Sequence, residues 1–150
     1  MRIILENKKA LFDYSILEKF EAGIVLLGLE VKSIKTGKMN LRGSFVVINQ
    51  SPTEVSLIGA NIPPYQPNNT PDDYDPKRSR KLLLKKAEIK HLIGKSREKG
   101  LTMVPIKVYT IKGKIKIEFA IVRGKKKFDK REQIKERQSK KNIERIMKRG

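Results

Sequence analysis

The chain contains no cysteine and only one histidine, His91. The absence of cysteine excludes disulfides, a thiol nucleophile and a thiolate metal site. A single histidine, whose nearest acid in the sequence is Glu88, argues against a metal site and against a histidine-based nuclease. No apolar run approaches the roughly 20 residues of a membrane-spanning helix, and the first ten residues lack the apolar core of a secretory signal. These absences predict a soluble, cytoplasmic protein without a metal or a cofactor.

Acidic residues are also scarce, since 16 Asp and Glu oppose 35 Lys and Arg, for a formal charge of +19. Residues 124–150 hold twelve basic and four acidic residues but little apolar surface. Ordering a chain costs about 1–2 kcal/mol per residue for the backbone alone, so this tail is predicted to be disordered when free. Residues 1–123 keep a charge of +11 and form one domain of ordinary size. A thermophile's ion-pair surface would balance the two signs, so the excess favours a nucleic-acid partner.

Hydrophobic periodicity predicts a mainly β fold with packed helices. In chain order the patterns predict an extended segment at 12–23, a helix at 23–37, a hairpin at 44–62, a proline-rich loop at 63–76, a second helix at 81–100 and a second hairpin at 102–122. Such a small antiparallel protein with a basic surface suits an OB-like β-barrel, a fold that binds nucleic acids. Periodicity alone leaves other α+β arrangements open.

Two groups of basic residues are candidates for RNA binding. Alternation in the second hairpin places one group away from the core or in the turn: Lys107, Tyr109, Lys112, Lys114 and Lys116. Lysines with a tyrosine on an open sheet face suit RNA, although for any single lysine an ordinary solvated face is the alternative. A second group follows the proline-rich loop and is predicted to contact phosphates: Lys77, Arg78 and Arg80.

No catalytic pattern is present. The chain has no GxxxxGK[ST] phosphate-binding loop, and no serine has a histidine at motif spacing. Asp72, Asp73 and Asp75 could suggest a metal-dependent nuclease, but aspartates beside prolines are turn formers. The chain is therefore predicted to bind RNA without being an enzyme. A general single-strand binder or a structural ribosomal protein remains the alternative to a dedicated RNA-delivery factor.

Four motifs occur in order, and together they resemble the SmpB family, the SsrA-binding proteins of bacterial trans-translation. They are NKKALFDYSILEKFEAGIVLLGLEVKSIKTGKMNL from Asn7, GANIPPY at 59–65, DPKRSRKLLL at 75–84 and GKKKFDKREQIKER at 124–137. The resemblance runs from about Asn7 to the C-terminus. It implies an OB fold with helices on the barrel. It also implies binding to the tRNA-like domain of transfer-messenger RNA, and delivery of that RNA to stalled ribosomes for tagging of the nascent peptide.

The resemblance also implies roles for individual residues. It places Glu21, Leu83 and Lys116 on the RNA-binding surface, where an exposed Leu83 would pack on a base, although core packing is the alternative for a leucine. It assigns the tail to the decoding region and mRNA path of the ribosome, with Asp129, Lys130 and Arg131 acting after RNA binding. Helical spacing puts Ile143 and Met147 on one face of a tail helix formed on the ribosome. Phe128 stands where the family commonly has histidine.

Overall fold

The computed structural model describes residues 1–125, which form seven strands, three α-helices and a short 3₁₀ turn. The strands are β1 (Arg2–Glu6), β2 (Tyr14–Ile24), β3 (Phe45–Gln50), β4 (Thr53–Ile58), β5 (Arg80–Leu83), β6 (Leu101–Ile111) and β7 (Lys114–Gly124). The helices are α1 (Lys8–Asp13), α2 (Gly28–Lys35) and α3 (Lys86–Ser96), with the 3₁₀ turn at Pro67–Asn69. The predicted tail residues lie outside the described residues: Asp129, Lys130, Arg131, Ile143 and Met147.

All seven strands belong to one antiparallel sheet with the order β1-β6-β7-β2-β5-β4-β3. The prediction of a mainly β, antiparallel fold with a few helices is therefore confirmed. The hydrogen-bonded order is that of an open sheet, with β1 and β3 at its two ends. Closure into a barrel stays a prediction.

Both predicted hairpins are present. The first pairs β3 with β4 from Phe45–Ile58 to Gln50–Thr53, and the second pairs β6 with β7. Lys112 and Gly113 form the turn of the second hairpin with φ angles of 50° and 78°. Two successive positive φ angles match the right-handed twist of the flanking strands, so this turn sets the register that the alternating residues predicted.

The helix predicted at 23–37 is wrong in its first third. Strand β2 continues to Ile24 because Gly23 and Ile24 pair with β5, and α2 begins only at Gly28. The Glu30 carboxylate accepts a hydrogen bond from the Leu27 N–H at 2.8 Å and so caps the first turn. Gly28 therefore stands at the helix start, where it costs less than in a helix interior. At the other end Gly37 has a φ of 80°, a left-handed conformation that commonly ends a helix.

The helix predicted at 81–100 is wrong at its start for a related reason. Residues 80–83 form β5, which pairs with β4 on one side and β2 on the other. Leu82 is buried between them, and α3 runs only from Lys86 to Ser96. Ile89 and Leu92 of α3 pack in the core at helical spacing. The helical part of the prediction is therefore confirmed from Lys86 onward, whereas the strand before it was not predicted.

The main core lies on one face of the sheet, and α1 covers part of the other. The large cluster includes Phe20, Leu57, Ile117 and Phe119. A second cluster joins Ala10 of α1 to residues of β6 and β7: Val104, Ile106, Ala120 and Val122. The α1 helix therefore covers only one end of this outer face.

The chain leaves the body beside α1. Strand β7 extends to Gly124, which pairs with Tyr14. The Lys125 N–H then donates to the Asp13 carbonyl at 2.9 Å, and Lys125 Nζ donates to the Leu11 carbonyl at 3.1 Å. Lys125 is therefore attached to the body, and any truncation meant to spare the body must begin after it.

Candidate nucleic-acid interface

One row of side chains crosses four strands on the outer face. The strand registers place Tyr109 of β6 opposite Lys116 of β7, Lys116 opposite Gly23 of β2, and Gly23 opposite Leu83 of β5. Side chains two residues apart on a strand share a face, so Glu21 lies on the same face, one step from Gly23. The sheet thus brings together three residues that are far apart in the sequence and that were predicted to bind RNA: Glu21, Leu83 and Lys116.

Gly23 leaves a bare stretch of backbone between two of these residues. A Cβ atom at Gly23 would lie 3.4 Å from Leu83 Cβ and 3.8 Å from Lys116 Nζ. Leu83 is 53% exposed, so the alternative of core packing is wrong for this leucine. An exposed apolar side chain and an amine therefore flank an open floor at the level of the sheet.

Glu21 is exposed, but one of its carboxylate oxygens is held by a buried tyrosine. The Tyr109 hydroxyl donates to Glu21 Oε2 at 2.5 Å, and Tyr109 is only 2% exposed. Burial, together with the hydrogen bond to Glu21, raises the pKa of Tyr109 far above its ordinary range, so the phenol keeps its proton. The prediction that Tyr109 lies exposed on an RNA-binding platform is wrong, because Tyr109 is buried and its hydroxyl bonds to Glu21.

The next row along the sheet is an ion-pair group centred on Glu118. Glu118 lies opposite Glu21 and Lys107 in the register. Its carboxylate oxygens are 3.8 Å from Lys19 Nζ and 3.8 Å from Lys107 Nζ. Lys107 Nζ also lies 5.7 Å from the centroid of the Tyr109 ring. Lys107 is thus engaged within the sheet, whereas Lys114 at the hairpin turn is exposed.

Arg80 was predicted to contact phosphate, and the structure corrects this. The side chain is fully buried, with Nε donating to Glu30 Oε2 at 2.9 Å, Nη1 donating to the Ala60 carbonyl at 2.9 Å and Nη2 also donating to Glu30. Glu30 is equally buried. A guanidinium at the centre of the body cannot reach a ligand, so Arg80 is structural: it joins β5 to α2.

Arg78 and Tyr74 complete this buried network. Arg78 donates to both oxygens of Glu30, while its side chain stays 30% exposed. The Tyr74 hydroxyl donates to the Ile62 carbonyl at 2.7 Å and lies 3.1 Å from Glu30 Oε2. Burial, followed by the Glu30 charge, raises the pKa of Tyr74. The network fastens the proline-rich loop to the body. Of the three basic residues predicted there, only Lys77 is exposed; its backbone N–H donates to the Asp75 carboxylate at 2.9 Å, and its amine forms no ion pair with a described residue.

Sequence reasoning missed Glu30 and the contact between Tyr109 and Glu21. The signal for Arg80 was its position two residues before Leu82, which puts both side chains on the same face of a strand. A basic residue in a buried register needs an internal acid. The sequence offers several acids at similar spacing, so nothing in it singles out Glu30.

The described residues show neither a metal-type cluster nor a helix for crossing a membrane. Across residues 1–125 no group of three or more histidine and acidic side chains is placed to hold a metal ion. His91 instead lies 2.8 Å from Glu18 through Nε2, with its ring 6.1 Å from that of Phe20. In the same range, no helix has the length and apolar character to span a bilayer.

Comparison with known proteins gives close matches over the whole chain. The "SsrA-binding protein" of Syntrophobacter fumaroxidans is 49% identical over 148 residues, covering 99% of this chain and 90% of that protein. The protein of the same name from a Sulfurihydrogenibium species is 50% identical over 147 residues, covering 98% and 95%. A chain from a solved structure described as "tmRNA-SmpB: a journey to the center of the bacterial ribosome" is 43% identical. It superposes with a TM-score of 0.67 over 87% of this chain and 93% of that one. A family model described as "SmpB protein" matches residues 4–149, and with nearly half of all positions shared with such relatives, the chain belongs to the SmpB family.

Proposed function

We propose that the protein binds the tRNA-like domain of transfer-messenger RNA and delivers it to stalled ribosomes for trans-translation. The observation that carries this proposal is the convergence of Glu21, Lys116 and Leu83 around Gly23, on the end of the sheet that α1 leaves uncovered. The names of its relatives, SsrA-binding proteins, and the solved tmRNA–SmpB structure support it.

Each residue offers a different contact to a folded RNA. Lys116 supplies a positive charge for a phosphate. Leu83 supplies an apolar surface on which an unstacked base can lie. Glu21 has the wrong charge for a phosphate, but its carboxylate can accept hydrogen bonds from a base amino group or a 2′-hydroxyl. The exposed Lys114, two residues before Lys116 on β7, extends the basic surface on the same face, and the exposed Lys77 is a further candidate for a phosphate contact.

In this proposal the body acts by binding and positioning RNA and catalyses no chemical step. The protein works in the cytoplasm, with the ribosome. The closed form of the fold is part of the same proposal. Strand β3 lies against β6 although no ladder joins them. Strand β3 is one edge of the sheet and β6 is the neighbour of the other edge strand, so this approach of the two ends supports the OB-like barrel.

We further propose that the tail acts on the ribosome. Its excess of Lys and Arg suits the rRNA phosphates of the decoding region and the empty mRNA path. Asp129, Lys130 and Arg131 would act there after the RNA is bound. Ile143 and Met147 would share one face of a helix that forms only on binding.

Selectivity for a folded RNA separates this function from that of a general single-strand binder. The wild-type protein is expected to prefer the tRNA-like domain over an unstructured RNA of equal length at matched salt. Glu21→Ala should reduce that preference by roughly tenfold, because it removes an acceptor for a base amino group or a 2′-hydroxyl and leaves the phosphate contacts unchanged. Competition binding with both RNAs measures the ratio. Equal affinity of the wild type for the two RNAs would favour the general binder, and a uniform loss in the variant would indicate a generic defect.

Lys116→Ala tests the phosphate contact. We expect weaker binding and a slope of log K against log salt that is smaller in magnitude by about one unit, since one fewer counterion is released. A matched control is Lys90→Ala, which removes an exposed lysine of α3 outside the outer-face row. Titrations at several salt concentrations give the slope. A slope and affinity equal to those of the control would exclude Lys116 from the interface.

A further inference from the structure

Tyr109 reaches Glu21 across an intervening strand. The two residues stand on β6 and β2, with β7 between them, and neighbouring strands lie about 4.8 Å apart. A hydroxyl 2.5 Å from Glu21 Oε2 therefore requires the phenol side chain to extend over β7 towards β2. The ring fills the space above β7 and is 2% exposed, whereas Glu21 at its end is exposed.

An exposed glutamate would ordinarily sample many rotamers, and fixing one of them costs free energy on binding. The Tyr109 hydroxyl pins Oε2, so the remaining rotation about the carboxylate is restricted and Oε1 is the oxygen left for a ligand. No other hydrogen bond from a described residue reaches the Glu21 carboxylate in the structure. The anchor itself is rigid because Tyr109 is buried and Lys107 Nζ lies 5.7 Å from its ring.

Electrostatic repulsion within the sheet makes such an anchor necessary. Glu21 and Glu118 stand directly opposite each other on β2 and β7, a placement that is unfavourable for like charges. Lys19 and Lys107 both engage Glu118. Glu21, beside Glu118, is held instead by the neutral hydroxyl of Tyr109. No described lysine or arginine lies within 4.0 Å of the Glu21 carboxylate, so the carboxylate remains a strong acceptor.

We infer that Tyr109 is a positioning residue that presents the Glu21 carboxylate as a fixed acceptor for a neutral N–H or O–H donor of the bound RNA. The inference rests on the proposed function and deepens it. A fixed acceptor beside the open floor at Gly23 selects a base amino or imino group or a 2′-hydroxyl group. A phosphate offers no such donor, so the contact contributes selectivity for a folded RNA rather than general affinity.

The test is a double-mutant cycle between Tyr109→Phe and Glu21→Ala. Tyr109→Phe removes only the hydroxyl and keeps the ring that fills the space over β7. We expect roughly five- to tenfold weaker binding to the tRNA-like domain, about the worth of one ordinary hydrogen bond, and less than about twofold weaker binding to unstructured RNA. The double variant should bind no more weakly than Glu21→Ala alone, because without the carboxylate the hydroxyl has nothing to position.

A purely structural tyrosine would behave differently. It would lower the melting temperature, weaken both RNAs by the same factor and add to the effect of Glu21→Ala. Tyr14→Phe, which removes the same atom at the start of β2, is the control, and thermal unfolding of each free protein accompanies the binding data. Wild-type selectivity in Tyr109→Phe, or additive losses, would overturn the inference while leaving the proposed function in place. Unchanged selectivity in Glu21→Ala would instead show that the Glu21 assignment is at fault, and the role of Tyr109 would fall with it.

Discussion

Replacing Arg80 by alanine is expected to lower the free energy of unfolding by about 3–5 kcal/mol, the usual cost of breaking a buried ion pair from one side. Arg80 and Glu30 are both fully buried, and the guanidinium supplies bonds to Glu30 and to the Ala60 carbonyl. Its loss leaves the Glu30 carboxylate with Arg78 as its remaining cation and leaves a buried carbonyl without that donor. Urea unfolding followed by circular dichroism measures the change.

Lys81→Ala is the matched control because Lys81 is the next residue of the same strand. Its amine is exposed and stands 3.8 Å from Glu54, so its removal should cost less than about 1 kcal/mol. The double change Glu30→Gln with Arg80→Met removes the charges together and should recover part of the loss, as replacing a whole buried pair often does. An Arg80→Ala protein as stable as the Lys81→Ala protein would contradict the structural role of the network.

The same network gives the stability a dependence on pH. Burial by itself raises the pKa of Glu30, but the hydrogen bonds from Arg78, the Leu27 N–H and Arg80 outweigh it, so the pKa lies below its ordinary value. A carboxylate with a lowered pKa contributes stability above its ordinary pKa, and the contribution is lost as pH falls through the lowered value. Removing Arg80 should therefore move the acid-unfolding midpoint to a higher pH, which an acid titration of both proteins would show.

The sequence predicts the hairpins better than the helices, because a hairpin's alternation is a local pattern whereas the start of each helix depends on a distant strand pairing. In β7, three apolar residues alternate with charged ones, and a period of two has a single structural solution when one face is buried: Ile115, Ile117 and Phe119 alternate with Lys114, Lys116 and Glu118. The stretch from Gly23 to Leu29 contains apolar residues at both spacings, and its first part is a strand because Gly23 pairs with β7 and because Gly23 and Ile24 pair with β5. That pairing joins segments about 60 residues apart, which no local pattern can reveal.

In the candidate site, too, the sequence predicts some features and not others. Charge predicted that the surface binds nucleic acid, and the exposure of Lys77 and Lys114 agrees with that reading. Charge could not separate Arg80 from these residues, because burial depends on the strand on which the arginine lies. Nor could it predict the bond from Tyr109 to Glu21, since the two residues meet only through the order of three strands.

Deleting residues 126–150 is expected to abolish peptide tagging on stalled ribosomes while leaving binding to the tRNA-like RNA nearly intact. The cut follows Lys125 because that residue still bonds to α1 through its N–H and its amine. The outer face that we assign to the RNA lies wholly within the retained body. The deleted segment carries the charge that we assign to the ribosome, so the RNA should be bound but not accommodated.

Filter binding of the tRNA-like RNA and a tagging assay on ribosomes stalled without a stop codon give the two readouts. Replacing Asp129, Lys130 and Arg131 together by alanine is the finer variant and should also stop tagging, although it removes only one net positive charge. If the deletion stops tagging but the triple variant tags normally, the activity would be assigned to charge elsewhere in the tail. Normal tagging by the truncated protein would refute the role of the tail, because the body alone would then suffice to deliver the RNA.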